Sequence, residues 1–205
     1  MDEASKRSAG HGPNGGPGKG RRDMERAAGE RTDVDKAAAR SGEVAIGFLT
    51  AVDSPSHGVF GGYLLVDLSG RPVEFHCTAP VKVSRAQQIL YGATLHGHLH
   101  GRQIGAALLA EGALEPRVVL TDLESMLHVR SHTSLPVALV SRLNEADRSG
   151  DDRCFPVGNA RVGPVAADDP NGATLREQLA ELAAAVDLHE PFERIRAAIE
   201  EAQRH

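Results

Sequence analysis

The chain reads as an α+β fold: a small, largely antiparallel sheet in the element order β-β-β-α-α-β-α-β, covered by helices, with a C-terminal helical hairpin and a disordered N-terminal tail. Three observations predict it. Runs with period-two alternation crowd into residues 43–78, so strands come early. Capping-box patterns at Ser84 and Thr174 open helical spacing further along. After Met1, residues 2–40 hold almost no large apolar side chain, only Met24 and Val34, and such a segment cannot offset its ordering entropy by burial.

That tail is rich in glycine and arginine. It carries nine Lys/Arg against seven Asp/Glu, a net of +2, which leaves −7 on the rest of a chain whose total is −5. From Lys6 to Arg22 there are five positive charges and no acid. A basic, glycine-rich tip can touch nucleic acid or an anionic surface weakly, but it has no aromatic residue on which bases would stack. The acidic remainder speaks against nucleic acid as a partner of the folded part. Only two cysteines occur and no N-terminal apolar leader follows the charged start, so a cytoplasmic protein with reduced thiols is expected. Nothing is apolar for long enough to span a membrane.

The domain proper is expected over residues 41–143. Glu43 to Val52 alternates with both faces apolar or small, as a strand covered on both sides does. The turn formers DSPSHG follow, and Gly61-Gly62 marks a bulge or a close backbone approach. Tyr63–Leu68 and Arg71–Thr78 flank Ser69-Gly70 as a hairpin, with Val73, Phe75 and Cys77 on one face and Glu74, His76 and Thr78 on the other. Pro80 ends that strand. Ser84 then caps a helix with Gln87 closing the box, Ile89 and Leu90 facing inward and Gly92 breaking it.

Gly97, Gly101 and Gly105 recur every fourth residue, a stripe of missing side chains if the segment is one helix. Each glycine costs a helix about 1 kcal/mol relative to alanine, so a tight contact must recover that. After Glu115-Pro116 comes a short strand at Arg117–Leu120. Thr121 and Glu124 suggest a capped short helix, and Val137–Leu143 a last strand. Residues 144–172 read as a surface loop pinned by Phe155. Residues 173–205 read as a helical hairpin: Thr174 caps the first helix, Pro191 suits the first turn of the second, and Phe192, Ile195 and Ile199 form its apolar stripe.

Two groups of residues bear chemistry. Cys77 is the candidate nucleophile, although His76 beside it points to the other face of the strand and a cysteine alternating with Val73 and Phe75 is expected to be buried. His96 and His100, four apart, are the candidate metal ligands, and His128 and His132 repeat the spacing. No HExxH, CxxC or suitably spaced carboxylate completes a metal site, and no phosphate loop or GxSxG is present. No cofactor is expected, and no motif places the chain in a characterised family. With no complete catalytic set, the first expectation is a non-enzymatic module that binds a protein partner or forms a homodimer. The alternative is a small enzyme or ligand sensor with a pocket near the 60–80 hairpin and the 84–110 helical segment, using Cys77 or a histidine pair. Convergence of those side chains with a carboxylate would favour the alternative.

Overall fold

Two consecutive glycines in the second strand set the spacing of the fold. The computed structural model describes residues 44–143, 154–163 and 172–204; the tail expected over 1–40 lies outside them. Ala45–Ser54 (β1) pairs antiparallel with Gly58–Asp67 (β2). A Cβ added at Gly61 would lie 2.1 Å from Ile104 Cγ2, and one at Gly62 would lie 2.1 Å from Ile195 Cγ2. Successive strand residues face opposite sides, so the glycine pair lets helices settle onto both faces of β2 at once.

β2 pairs in turn with Pro72–Cys77 (β3), around a turn in which Gly70 takes φ +77° and Asp67 accepts from the Ser69 and Arg71 amides. Ser84 caps Arg85–Tyr91 (α1) through the reciprocal bonds with Gln87, and Gly92, at φ +50°, ends it. Ile89 and Leu90, expected to face inward, are exposed. A 3₁₀ turn at Gly92–Thr94 then leads toward a π-helix, Gly97–Gly105, which continues as Ala106–Glu111 (α2).

The segment is thus helical but wound wider than an α-helix, and its glycines share one face. Added Cβ atoms at Gly97 and Gly101 would meet His128 at 2.6 Å, and one at Gly105 would meet Met126 Sδ and Val129 Cγ2 at 3.0 Å. His128, Met126 and Val129 belong to Glu124–His132, a 3₁₀ helix. The close contact that the glycine spacing demands is made within the chain.

The sheet itself corrects the expected architecture. It is mixed, with seven strands in the order β3-β2-β1-β4-β5-β7-β6, where β4 is Val118–Thr121, β5 Val137–Arg142, β6 Phe155–Val157 and β7 Ala160–Val162. The middle strands are parallel, β1 with β4 and β4 with β5. The expected antiparallel sheet fails because both links in this region are crossovers. The π-helix and α2 carry the chain from β3 to β4, the 3₁₀ helix carries it from β4 to β5, and each returns the next strand in the same direction. All four residues of β4 are buried, as strands covered on both faces require.

Thr121 does not cap a helix. Its Oγ1 accepts from the Leu123 amide at 3.3 Å, within the turn that leads to the 3₁₀ helix. Within the stretch read as surface loop, β6 and β7 form a hairpin around Gly158, at φ +58°, and Arg176 lies 4.7 Å over the Phe155 ring. Gly172–Ala185 (α3) starts before Thr174, which therefore sits inside it, and Glu190–Ala202 (α4) has Pro191 in its first turn.

Each sheet face has its own core. Ile46, Phe48, Leu64 and Val66 pack with Leu179, Leu182, Phe192 and Ile195 of α3 and α4, Phe48 meeting Phe192 edge to face at 5.2 Å. On the other face Leu49, Tyr63 and Leu65 pack with Leu99, Ile104, Leu108, Met126 and Val129.

Candidate functional site

Cys77 lies where sequence reasoning did not expect it. It is exposed, with Phe75 40% exposed beside it, because the polar row of β3 turns inward instead. Glu74 pairs with Leu65 and His76 with Tyr63, both core residues. The His76 ring stacks on Tyr63 at 6.5 Å, and Glu74 accepts from the Ala113 and Leu114 amides and from His76 Nε2 at 2.5 Å. Burial pushes the Glu74 carboxyl up, but the bonds from Ala113, His76 and Leu114 outweigh it and hold the group below its ordinary range. Burial and the nearby Glu74 raise the Tyr63 phenol strongly. This cluster anchors the loop after α2. Both cysteines are free thiols, and among the described residues no histidine hydrogen-bonds Cys77.

The histidine pair does come together. His96 and His100 have ring centroids 5.6 Å apart, whereas His98 turns away to stack on Tyr91 at 4.4 Å. Among the described residues no group of three His, Cys, Asp or Glu side chains is placed to hold a metal ion. His100 finds a different partner: its Nδ1 lies 2.7 Å from Ser125 Oγ, at the start of the 3₁₀ helix, and the residue is 7% exposed. Burial lowers its pKa from the ordinary 6.5, the Asp53 carboxylate pulls it back up and His96 adds to the lowering; the net shift is downward.

Among the described residues the buried polar ones are Thr50, Thr121 and His100. Thr50 belongs to β1 and Thr121 ends β4, so they gather near the carboxyl ends of two parallel strands, where ligands of open α/β sheets bind. Thr50 Oγ1 donates to Asp122 Oδ1 at 2.7 Å, and Arg196 of α4 donates to Asp122 Oδ2. Alternation along β1 sends Thr50 toward α4 and Asp53 toward the π-helix. The carboxyl edge of β1 and β4 is therefore flanked by Thr50, Asp122 and Arg196 on one side and by Asp53, His96, His100 and Ser125 on the other.

Sequence reasoning missed Thr50, Asp53, Asp122, Ser125 and Arg196. The available signal was a threonine inside each of two otherwise apolar strand runs, followed within three residues by an aspartate.

No protein-family model and no curated protein matches the chain. Among solved structures it is similar to human endonuclease V, at 13% identity and a TM-score of 0.40, covering 80% of this chain and 87% of that one. It is also similar to Ciona intestinalis endonuclease V (D234N) in complex with inosine-containing DNA, at 14% identity, 62% of each chain and a TM-score of 0.33. A third is Marinitoga piezophila Argonaute with guide RNA, at 10% identity, 69% of this chain, 26% of that one and a TM-score of 0.35. At these TM-scores each is a likeness only.

Two expectations are nevertheless corrected. The reading as a non-enzymatic protein-binding or self-associating module gives way to the alternative, because His96 and His100 gather beside a carboxylate and a serine, the convergence that favours it. The expectation that nucleic acid is no partner of the folded part is not carried further; the similar structures include complexes with DNA and RNA.

Proposed function

We propose that the chain is a small hydrolase or group-transfer enzyme in which Ser125 is the nucleophile and His100 its general base. The 2.7 Å contact between Ser125 Oγ and His100 Nδ1 carries this reading. A base must be unprotonated at the working pH and within hydrogen-bond reach of its proton donor. Burial favours the neutral form of His100, and with its proton on Nε2 the ring accepts the serine O–H at Nδ1. As Oγ attacks an ester-type centre, its proton passes to Nδ1, and the imidazolium that forms is favoured by the Asp53 carboxylate. The leaving group then takes that proton, and water hydrolyses the serine ester or an acceptor removes the group. General-base assistance of this kind contributes about 10²- to 10⁴-fold.

The surroundings suit an anionic substrate. The π-helix and the 3₁₀ helix together carry Arg102 and Arg130 against one acid, Glu124. The first substrates to assay are therefore phosphodiesters in DNA and RNA, beside simple carboxylic and phosphoric esters. A fluorophosphonate probe should label Ser125, and Ser125→Ala and His100→Ala should each lower turnover at least about 100-fold with the fold intact. Turnover that survives in Ser125→Ala, with no label on Ser125, overturns the reading.

A further inference from the structure

We infer that Arg196 recognises an extended polyanionic substrate, such as a phosphodiester chain, lying along the carboxyl ends of β1 and β4; this rests on the site proposed above and names its substrate class. Arg196 is built into place. Its guanidinium donates to Asp122, and Asp122 is itself fixed by the buried Thr50 at 2.7 Å. The Arg196 side chain is 40% exposed, and among the described residues Asp122 is its one hydrogen-bond partner. A guanidinium has five N–H donors in a planar fork, so most of them remain for a ligand oxygen. The position suits the task too. Asp122 and Ser125 lie in one short connection after β4, and Ser54 at the end of β1 donates to Gln203 just past α4, at 3.2 Å. The helix that carries Arg196 is thereby tied to both strand ends. A compact ester could occupy the Ser125 side alone, whereas an extended polyanion crossing the edge would meet Ser125 on one side and Arg196 on the other.

Binding without turnover separates this from the proposed chemistry. Full-length Ser125→Ala protein is titrated against a fluorescein-labelled single-stranded DNA of about 24 nucleotides across a salt series. Adding Arg196→Ala should raise Kd about tenfold and reduce the salt slope by about one. Arg204→Ala, which removes the same charge beyond α4 from an exposed side chain paired with Glu200 and Glu201, should leave both unchanged. Arg196→Lys keeps the charge but not the fork, and should raise Kd at least about threefold in a folded protein even if Arg196→Ala fails to fold. The inference is overturned if the Ser125→Ala parent does not bind the oligonucleotide, if Arg196→Lys binds as the parent does, or if Arg196→Ala and Arg204→Ala weaken binding equally. A failed nucleophile shows differently, as turnover that survives Ser125→Ala.

Discussion

Gly101 lies against the backbone of His128: a Cβ added at Gly101 would come 2.6 Å from His128 Cβ, 2.8 Å from its carbonyl carbon and 2.9 Å from the Val129 amide nitrogen. Two of those atoms are main chain, which cannot rotate away as a side-chain end can. In an isolated helix alanine would be better than glycine by about 1 kcal/mol, but overpacking costs typically about 1–3 kcal/mol and here meets a rigid neighbour. Gly101→Ala is therefore expected to destabilise the domain, lowering Tm by roughly 3–9 °C, and Gly101→Leu by more. The contact is internal, so neither midpoint should depend on protein concentration. A neutral alanine variant would mean the two helices are not in contact.

This contact was legible because glycine spacing in a helix has a cost that only close packing explains. The hairpin at Gly70 and the capping box at Ser84 were legible for a similar reason, each being satisfied by residues a few positions apart. The parallel middle of the sheet was not. Val118–Thr121 is apolar through both faces, a pattern shared by buried strands of either direction, and direction is set by the crossover helices rather than by the strand. The site was half legible. The His96 and His100 spacing placed two rings together, but Ser125 and Asp53 reach His100 only because β4 and β1 are neighbours in space. On β3, alternation separated Phe75 and Cys77 from Glu74 and His76 but could not say which pair turns in, and a register shift beside Val66 brings Val73 in as well; Glu74 and His76 turn in because the Ala113 and Leu114 amides and the Tyr63 ring partner them.

Cys77 follows from the same inversion. An exposed thiol on an edge strand offers open access to a probe, so native protein should label at Cys77 at a rate within about tenfold of the unfolded chain. Cys77→Ala should leave both turnover and stability nearly unchanged, because little is buried there. Protection of Cys77 by more than about a hundredfold in the native state would contradict the orientation of β3.

His100 makes stability depend on pH with a definite sign. Its folded pKa lies below the ordinary 6.5, so between those two values the unfolded chain binds more protons than the folded one. The contribution is fully present above pH 6.5 and is lost as pH falls through that window. His100→Gln should flatten the slope of stability against pH just below 6.5, measured by urea unfolding. In the proposed mechanism the same group governs the acid limb of kcat/KM, whose midpoint should fall below 6.5. A midpoint above 7 would assign that limb to another residue.

Thr50 and Asp122 test how the carboxyl edge is held. Thr50 is fully buried and gives its hydroxyl proton to Asp122, whose side chain is 16% exposed and also meets Arg196. Asp122→Ala leaves a buried hydroxyl without its acceptor and should cost about 1–3 kcal/mol, whereas the ion pair it also removes contributes little because Arg196 is 40% exposed. Thr50→Val removes the donor while keeping the shape and leaves a carboxylate that still has Arg196 and solvent, so it should cost about 1 kcal/mol. The double variant carries neither an orphaned hydroxyl nor an abandoned carboxylate. It should therefore be more stable than the sum of the singles by about 1 kcal/mol, a coupling read from urea midpoints at constant m-value. Additive losses would mean that the hydroxyl and the carboxylate do not share a bond, and that Asp122 is oriented by Arg196 alone.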